Sequence, residues 1–155
     1  MSYDAFASTF SQSRKNLRWG ELEYFVECIK KYSQDEKISI LDIGCGNGRF
    51  LDTLESAFPP LSSERRGVGG EADKGSGVRG HYSYFGIDAS IGMIEEAQKL
   101  HPNHTFKVLD MNHLEKLSSG EKYQFIVFIA SFHHRQTPEE RKEVLGKAKK
   151  LLAPG

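Results

Sequence analysis

Three polar signatures, each placed at the end of an apolar run, hold the residues of this chain that are best suited to chemistry. The first is the glycine-rich segment DIGCGNG at residues 42–48, and the other two are the carboxylates Asp88 and Asp110. A glycine turn lets the backbone approach a bound molecule closely, because no Cβ stands in the way. A carboxylate has two oxygens that accept hydrogen bonds from hydroxyl or amino groups. The combination predicts a crevice that binds a polar small molecule.

The spacing of the glycines narrows the choice of ligand. Gly44, Gly46 and Gly48 follow the pattern G-x-G-x-G, and Arg49 stands where a dinucleotide-binding fingerprint needs Gly or Ala. The arginine therefore argues against NAD. The loop also lacks the Gly-Lys-Ser/Thr ending of a phosphate-binding P-loop.

Short strands must position these signatures. Residues 37–43 (KISILDI), 82–88 (YSYFGID) and 104–110 (HTFKVLD) are apolar or β-branched runs that end at the three signatures. A continuous apolar run at 123–130 (YQFIVFIA) is typical of a parallel strand that is covered on both faces. Because ligands bind outside the carboxyl ends of strands in an open α/β sheet, the signatures are expected to line one crevice.

Helical periodicity predicts four helices around these strands. The first covers residues 14–32, and the second begins near Gly48 and ends before the proline pair at 59–60. The third follows a Ser90 cap, and the fourth follows a capping box that starts at Thr137. The residues expected to face the core are Leu22, Phe25, Val26 and Ile29, then Phe50, Leu51, Leu54 and Phe58, then Met93, Ile94, Ala97 and Leu100, and finally Val144, Leu145, Ala148, Leu151 and Leu152.

Composition limits the class of protein. The chain has 155 residues, 38% of them hydrophobic, which is enough for one core and one domain. Its 21 Lys+Arg balance 21 Asp+Glu, so it lacks a basic field over the whole domain for nucleic acid. No apolar run approaches the roughly 18 residues that span a bilayer, and the N-terminus lacks a secretory signal. Two cysteines, Cys28 and Cys45, form neither a disulfide framework nor a zinc site, so a cytoplasmic protein without metal is expected.

The segment LDIGCGNGRF at residues 41–50 resembles the first motif of the class I S-adenosylmethionine (SAM)-dependent methyltransferases. The resemblance continues through YFGIDAS, VLDM, FIVFIASFHH and LLAPG, in the family's order, from about residue 37 to the C-terminus. It implies a Rossmann-like α/β three-layer sandwich with a parallel sheet of order 3-2-1-4. It also implies one domain over residues 1–155, with an N-terminal helical lid at about 1–34 and SAM as cofactor.

The same resemblance assigns roles to individual residues. The glycine loop would cradle the amino-acid end of SAM, and Asp42 would orient that loop or the ammonium group. Asp88 would accept both ribose hydroxyls, and Asp110 would accept from the adenine amino group. Cys45 is interpreted as a small packed residue and not as a nucleophile. The implied cofactor-binding residues are Asp42, Gly44, Cys45, Gly46, Asn47, Gly48, Asp88, Ala89, Asp110, Met111, Ala130 and Ser131, with Phe132 beside the last two.

The methyl acceptor is less defined by the sequence. Methyl transfer from a sulfonium depends mainly on positioning and desolvation, and a base helps only where the acceptor carries a proton. His133 is the candidate for that base, since it follows the fourth strand beside His134. The alternative is that one histidine only caps or packs at the strand end.

Two segments resemble the branch of the family that methylates a carboxymethyl group on tRNA wobble uridine. They are FSQSRKNLRW at 10–19 and SFHHRQTPEERKEVLGKAKKLLAPG at 131–155. Trp19 is interpreted as a core or lid residue, with stacking on a base as the alternative. The basic residues there fit RNA, or alternatively a solvated helix face, and they are Arg14, Lys15 and Arg18, then Arg135, Arg141, Lys142, Lys147, Lys149 and Lys150.

The length of the chain leaves two hypotheses of function. Residues 61–80, with six glycines and seven charged residues, are interpreted as a flexible insertion. Family members continue past the final Pro-Gly into further strands, so the sheet is expected to be truncated there. The first hypothesis is a SAM-dependent methyltransferase acting on a small molecule or tRNA. The second is an incomplete or non-catalytic SAM-binding domain, which pairs with a second copy or a partner subunit through its open fourth strand.

Overall fold

The computed structural model describes residues 20–32, 37–58, 81–117 and 120–154. The predictions for the N-terminal segment, including Trp19 and its basic residues, lie outside these ranges. So does the interpretation of residues 61–80 as a flexible insertion.

A four-stranded parallel sheet forms the centre of the described fold. Its strands are β1 (Lys37–Ile43), β2 (His81–Asp88), β3 (Thr105–Val108) and β4 (Phe125–Val127). Their order is β3-β2-β1-β4, as predicted, so β1 and β2 have a neighbour on each side. The register places the ends of the strands side by side, because Ile43 pairs with Ile87 and Asp88 pairs with Val108.

Four α-helices in the described ranges connect and cover the strands, as the periodicity predicts. They are α1 (Gly20–Tyr32), α2 (Arg49–Ala57), α3 (Ile91–Leu100) and α4 (Pro138–Lys149). The Ser90 hydroxyl accepts a hydrogen bond from the Met93 amide at the start of α3. The capping box of Thr137 and Glu140 is present at the start of α4, which confirms both caps.

Two apolar clusters lie on the two faces of the sheet and make the fold a three-layer sandwich. Along β1 the side chains alternate, so that Ile38 and Ile40 join one cluster while Leu41 and Ile43 join the other. All four are fully buried, and each such side chain contributes about 1.5–3 kcal/mol to folding. The first cluster also contains residues of α1, α2 and α3, and the second contains residues of α4.

Three leucines that were expected to face the core are exposed instead. Leu100 is the last residue of α3, and His101 takes the buried position that follows it. Leu145 is half exposed, because it lies about 100° around α4 from the buried Val144. Leu152 lies beyond the end of α4 and is 40% exposed.

The fourth strand is shorter than predicted and lies at the end of the described sheet. Regular pairing covers only Phe125–Val127, whose partner is β1. On its other side, Tyr123 forms an isolated parallel bridge with Leu152. The run predicted as a strand over 123–130 is therefore regular strand only at its centre, within the described residues. After the strand ends at Val127, Ala130 adopts a positive φ of 52° at the turn toward Ser131.

Candidate functional site

The glycine loop follows β1 directly and is bonded to the end of β2. The amides of Gly44 and Cys45 both donate to the Ile87 carbonyl, at 2.8 and 3.0 Å. Gly44 and Gly46 have φ values of 78° and 57°, in the left-handed region that side chains with a Cβ rarely adopt. No atom of the described residues lies within 4 Å of the position that a Cβ would take on Gly46, so the backbone there faces open space among them.

Asp88 joins the glycine loop to the start of α3. Its Oδ2 accepts from the Gly46 amide at 2.9 Å, and its Oδ1 accepts from the Ser90 amide at 2.9 Å. Each carboxylate oxygen has a second lone pair, so both oxygens keep the capacity to accept from a ligand hydroxyl. The structure therefore brings the first and second signatures together as the sequence predicts.

Asp110 forms the third corner of the crevice. Its Oδ1 accepts from the Asn112 amide at 2.8 Å, which caps a 3₁₀ helix at Met111–Lys116. The amide of the preceding Leu109 donates to the Asp88 carbonyl at 2.8 Å, so the second and third signatures lie side by side. Asp110 and Met111 are both half-buried.

Ser131 closes the crevice from the side of β4. Its hydroxyl donates to the Ile43 carbonyl at 2.6 Å, and its side chain is 4% exposed. A Cβ on Gly44 would lie only 2.2 Å from the Cβ of Ser131, so the two segments are in closest contact there. Ala130, beside Ser131, is exposed.

Asp42 lies beneath the loop and is 1% exposed. Its Oδ2 accepts from the Tyr84 hydroxyl at 2.8 Å, whereas its buried Oδ1 has no hydrogen-bond partner among the described residues. Burial raises the pKa of Asp42 to about 7, against the lowering effect of the Tyr84 hydroxyl, and the charge of Asp88 raises it further. Sequence reasoning identified Asp42 but missed Tyr84, although a tyrosine inside a buried strand signals a polar partner.

Cys45 is packed in the way the sequence predicts. Its side chain is buried, and a Cβ on Gly86 would lie 2.9 Å from its Sγ. Burial raises the pKa of the Cys45 thiol well above its usual range, and the charges of Asp42 and Asp88 add to the effect. A protonated, enclosed thiol is a poor nucleophile.

His133 and His134 form a contacting pair at the end of the turn that starts at Ser131. Their ring centroids are 4.1 Å apart, and the His134 amide donates to the Ser131 carbonyl. Desolvation lowers the pKa of His134, the positive charges of His133 and Arg135 lower it further, and Asp88 opposes them. The lowered pKa thus belongs to His134, which the sequence offered only as the second candidate after His133.

Two of the six basic residues of α4 and its flanks, Lys147 and Arg141, are bonded within the chain. Lys147 pairs with Glu143 at 2.8 Å, and the Arg141 side chain donates to the Arg135 carbonyl. The solvated-face interpretation therefore accounts for part of this set.

Neither a metal site nor a membrane span is found in the described part of the chain. No group of three or more His, Cys, Asp or Glu side chains there is arranged to hold a metal ion. No described helix is long and apolar enough to cross a membrane.

Comparison with known proteins identifies the family. A family described as "Methyltransferase domain" matches residues 14–155. The chain belongs to this methyltransferase family.

Two curated relatives of this methyltransferase domain are similar in sequence. The tRNA (carboxymethyluridine(34)-5-O)-methyltransferase of Saccharomyces cerevisiae is 28% identical over 143 residues, which is 92% of this chain and 39% of the relative. The putative methyltransferase 235L of Invertebrate iridescent virus 6 is 27% identical over 106 residues, which is 62% of this chain and 31% of the relative. The domain thus spans less than half the length of either relative.

Solved structures show the same fold. SAM-bound CalS10, an amino pentose methyltransferase from Micromonospora echinaspora, has a TM-score of 0.66 at 18% identity, over 96% of this chain and 52% of CalS10. The plantazolicin methyltransferase BpumL, in complex with a desmethylPZN analogue and SAH, has a TM-score of 0.64 at 23% identity, over 95% of this chain and 48% of BpumL. The Rossmann-like fold expected from the sequence is confirmed.

The contact between Gly44 and Ser131 gives a testable prediction about the stability of the methyltransferase domain. A Gly44→Ala substitution places a Cβ against Ser131, and such overpacking lowers the free energy of unfolding by about 1–3 kcal/mol. The positive φ of an alanine there lowers it by about 1–2 kcal/mol more. Gly46→Ala incurs only the backbone strain, because its Cβ faces open space. Urea denaturation should therefore show a larger loss for Gly44→Ala. Adding Ser131→Gly should restore part of it, and strictly additive losses in the double variant would contradict the proposed contact.

The burial of Asp42 predicts a pH-dependent stability. Between its ordinary pKa of 3.8 and the folded value of about 7, the folded state holds a proton that the unfolded state releases, so stability falls as pH rises through this window. Asp42→Asn removes this pH dependence. The free energy of unfolding of the variant, relative to that of the wild type, should therefore rise by about a few kcal/mol between pH 4 and pH 8. Urea titrations at pH 4, 6 and 8 would measure it. Tyr84→Phe removes the hydrogen bond that favours the anion of Asp42, so stability should decline more steeply with pH in this variant. Parallel curves of stability against pH for wild type and Asp42→Asn would refute the raised pKa of Asp42.

Proposed function

We propose that this chain is a SAM-dependent methyltransferase domain that binds the cofactor in the crevice at the carboxyl ends of β1, β2 and β3. The observation that carries the proposal is the double hydrogen bond of Asp88, which joins the Gly46 amide to the start of α3. It fixes a carboxylate beside an open glycine backbone, and this pair suits a ligand with adjacent hydroxyls and a charged amino-acid end.

The described residues fit this cofactor. The open space over Gly46 leaves room for a ligand against the backbone of the loop. The unpartnered Oδ1 of Asp42 places an anionic oxygen, once deprotonated, beneath the part of the loop that would hold the ammonium group. The orientation of Asp110 leaves its Oδ2 to accept from an adenine amino group, since Oδ1 is taken by the Asn112 amide.

Roles follow for the remaining residues of the crevice. Asp88 would hold the ribose hydroxyls with Ala89 beside it, and the Met111 amide would support the adenine ring. The amides of the glycine loop would hold the carboxylate of the amino-acid end, with Ala130 and Ser131 on the methyl-donor side. The loop residues concerned are Gly44, Cys45, Gly46, Asn47 and Gly48.

The bound cofactor would supply an electrophilic methyl group, and the chain would supply geometry. The strand ends hold the three ligand-binding segments in one rigid unit, which aligns donor and acceptor before reaction. Ser131 and Gly44 close the side of β4 without space between them, which excludes water there.

A carboxylate of tRNA is the acceptor that the comparisons favour. The yeast relative, similar over 92% of this chain, is named for a carboxymethyluridine of tRNA. A small-molecule acceptor is the second candidate, supported by the internal pairing of Lys147 and Arg141, which removes part of the basic surface available to RNA.

The other class of function is a SAM-binding domain that acts through a partner chain. It is supported by the outer edge of β4, where only Tyr123 is bonded to the segment around Leu152 within the described residues. In this case the domain would bind SAM and dimerise or pair, but turn over no acceptor by itself.

The cofactor proposal is tested by titration calorimetry with SAM and SAH. Asp88→Asn should weaken binding by about 10- to 100-fold, because hydrogen bonds from the ribose hydroxyls to a charged acceptor are worth about 1.5–3 kcal/mol. Glu95→Gln, an exposed carboxylate on α3, serves as the matched control and should leave the affinity unchanged. A folded wild type that binds neither molecule would reject the proposal.

The acceptor is tested by transfer of labelled methyl to bulk tRNA and to small-molecule pools, with His133→Ala and His134→Ala variants. A hydroxyl or amine acceptor carries a proton, so loss of the base should lower kcat by about 10²- to 10⁴-fold. Because its lowered pKa favours the neutral imidazole that can accept a proton, His134 is expected to act as the base, and its variant should lose more than the His133 variant. The rate should then fall as the pH drops below the lowered pKa of His134.

A carboxylate acceptor carries no proton at neutral pH and needs no base. In that case neither histidine variant should change kcat by more than a few fold, and the label should appear in tRNA as a base-labile ester. No transfer to any acceptor, with SAM binding intact and a dimer in light scattering, would favour the partner-chain function.

A further inference from the structure

Lys147 of α4 reaches across to the 3₁₀ helix that follows Asp110. Its Nζ donates to the Asn112 carbonyl at 2.6 Å and pairs with Glu143 at 2.8 Å and Glu115 at 3.5 Å. An ammonium group has three donors, and this arrangement offers it three acceptors. Lys147 is therefore turned toward the protein and away from a phosphate in solvent.

Asn112 is bonded on both sides of its backbone. Its amide donates to Asp110 Oδ1 at 2.8 Å, while its carbonyl accepts from Lys147. The next residue, His113, departs from helical geometry with φ −116° and ψ 32°, so the 3₁₀ helix is kinked immediately after this point. The backbone bond from the His113 amide to the Asp110 carbonyl, at 2.9 Å, spans this turn, and the side chains of Asp110 and Lys147 add a restraint on each side of Asn112.

Apolar contacts anchor this segment on both sides of the kink, because Leu109 belongs to the underlying cluster and Met111 packs against it. Leu114 and Leu117 are 1% and 5% exposed and pack in the cluster that contains Val144 and Ala148. Both leucines follow the kink, whereas Asp110 and Met111 precede it. These contacts hold the backbone, whereas the orientation of the Asp110 carboxylate depends on its bond to the Asn112 amide.

We infer that Lys147 is a positioning residue for the adenine end of the site, because it holds the Asn112 carbonyl and, through the backbone of that residue, the amide that bonds the carboxylate of Asp110. The inference rests on the proposed function, which places the adenine amino group on Asp110. It assigns to Lys147 a role in cofactor recognition, in place of the RNA contact that its charge alone indicated.

The test compares two ligands in titration calorimetry: SAH, and the SAH analogue whose purine lacks the 6-amino group. Wild type should prefer SAH, because only SAH donates to Asp110. Lys147→Met should weaken SAH binding by about tenfold, the scale of one charged hydrogen bond, and should reduce the preference between the two ligands toward one. Lys147→Arg keeps the charge and donors and should restore part of the preference.

Matched variants on the same helix separate this role from helix stability. Glu143→Gln removes the closest ion pair of Lys147 but leaves its bond to Asn112, and Lys149→Met removes an exposed charge of the last turn. Both should keep the wild-type preference between the ligands. Thermal unfolding of each variant establishes that the samples are folded.

The outcomes distinguish a failure of the role assigned to Lys147 from a failure of the proposed function on which that role rests. A wild type that fails to bind SAH rejects the proposed function itself. A wild type that binds both ligands equally, or a folded Lys147→Met variant that weakens both ligands by the same factor, overturns the role of Lys147 and leaves the methyltransferase assignment in place. If Lys147→Met is unfolded, Lys147→Arg is combined with Asp110→Asn and the preference between the two ligands is measured again. Effects of the two substitutions on this preference that simply add would also overturn the role of Lys147.

Discussion

The hydrogen bond from the Gly46 amide to the Asp88 carboxylate is the constraint on which the rest of the site depends. It joins a loop that leaves β1 to the residue that ends β2, 42 positions further along the chain. The Ile87 carbonyl reinforces it by accepting from the two preceding amides of the loop. Because both strands are bonded in parallel register up to these residues, the loop cannot shift without breaking the pairing of Ile43 with Ile87.

The central position of β1 makes this constraint rigid. Its aliphatic side chains are fully buried on both faces, and its neighbours β2 and β4 flank it on both edges. A carboxylate within such a strand is costly to ionise, which is why Asp42 holds a proton near neutrality. The same burial that stabilises the sheet therefore makes the charge of the site dependent on pH.

Different interactions hold the two outer sides of the site, at Ser131 after β4 and at the segment after Asp110. Ser131 is fixed by one short hydrogen bond to Ile43 and by direct contact with Gly44. The segment after Asp110 is fixed by apolar packing of Met111, Leu114 and Leu117 and by polar bonds on both sides of Asn112. The two segments should therefore tolerate different substitutions. Steric contact limits the residues that can replace Gly44, whereas charged hydrogen-bond partners are required around Asn112.

Much of this fold and site could be predicted from the sequence. Binary patterning defined β1 and the four helices, the capping residues Ser90 and Thr137 marked two helix starts, and glycine spacing with Asp88 and Asp110 located the crevice. These features depend on neighbours in sequence or on the rule that parallel strands end at one edge. The family followed from the same motifs.

Only the tertiary structure decided which side chains complete the site. The bond of Tyr84 to Asp42, the turn of Lys147 toward Asn112 and the exposure of Leu145 depend on distances between segments far apart in sequence. Periodicity reports which face of a helix is apolar, but not how far its neighbour extends or which polar group stands opposite. Local chemistry thus determined where a ligand would bind, and packing between segments determined the protonation and orientation of the groups that would bind it.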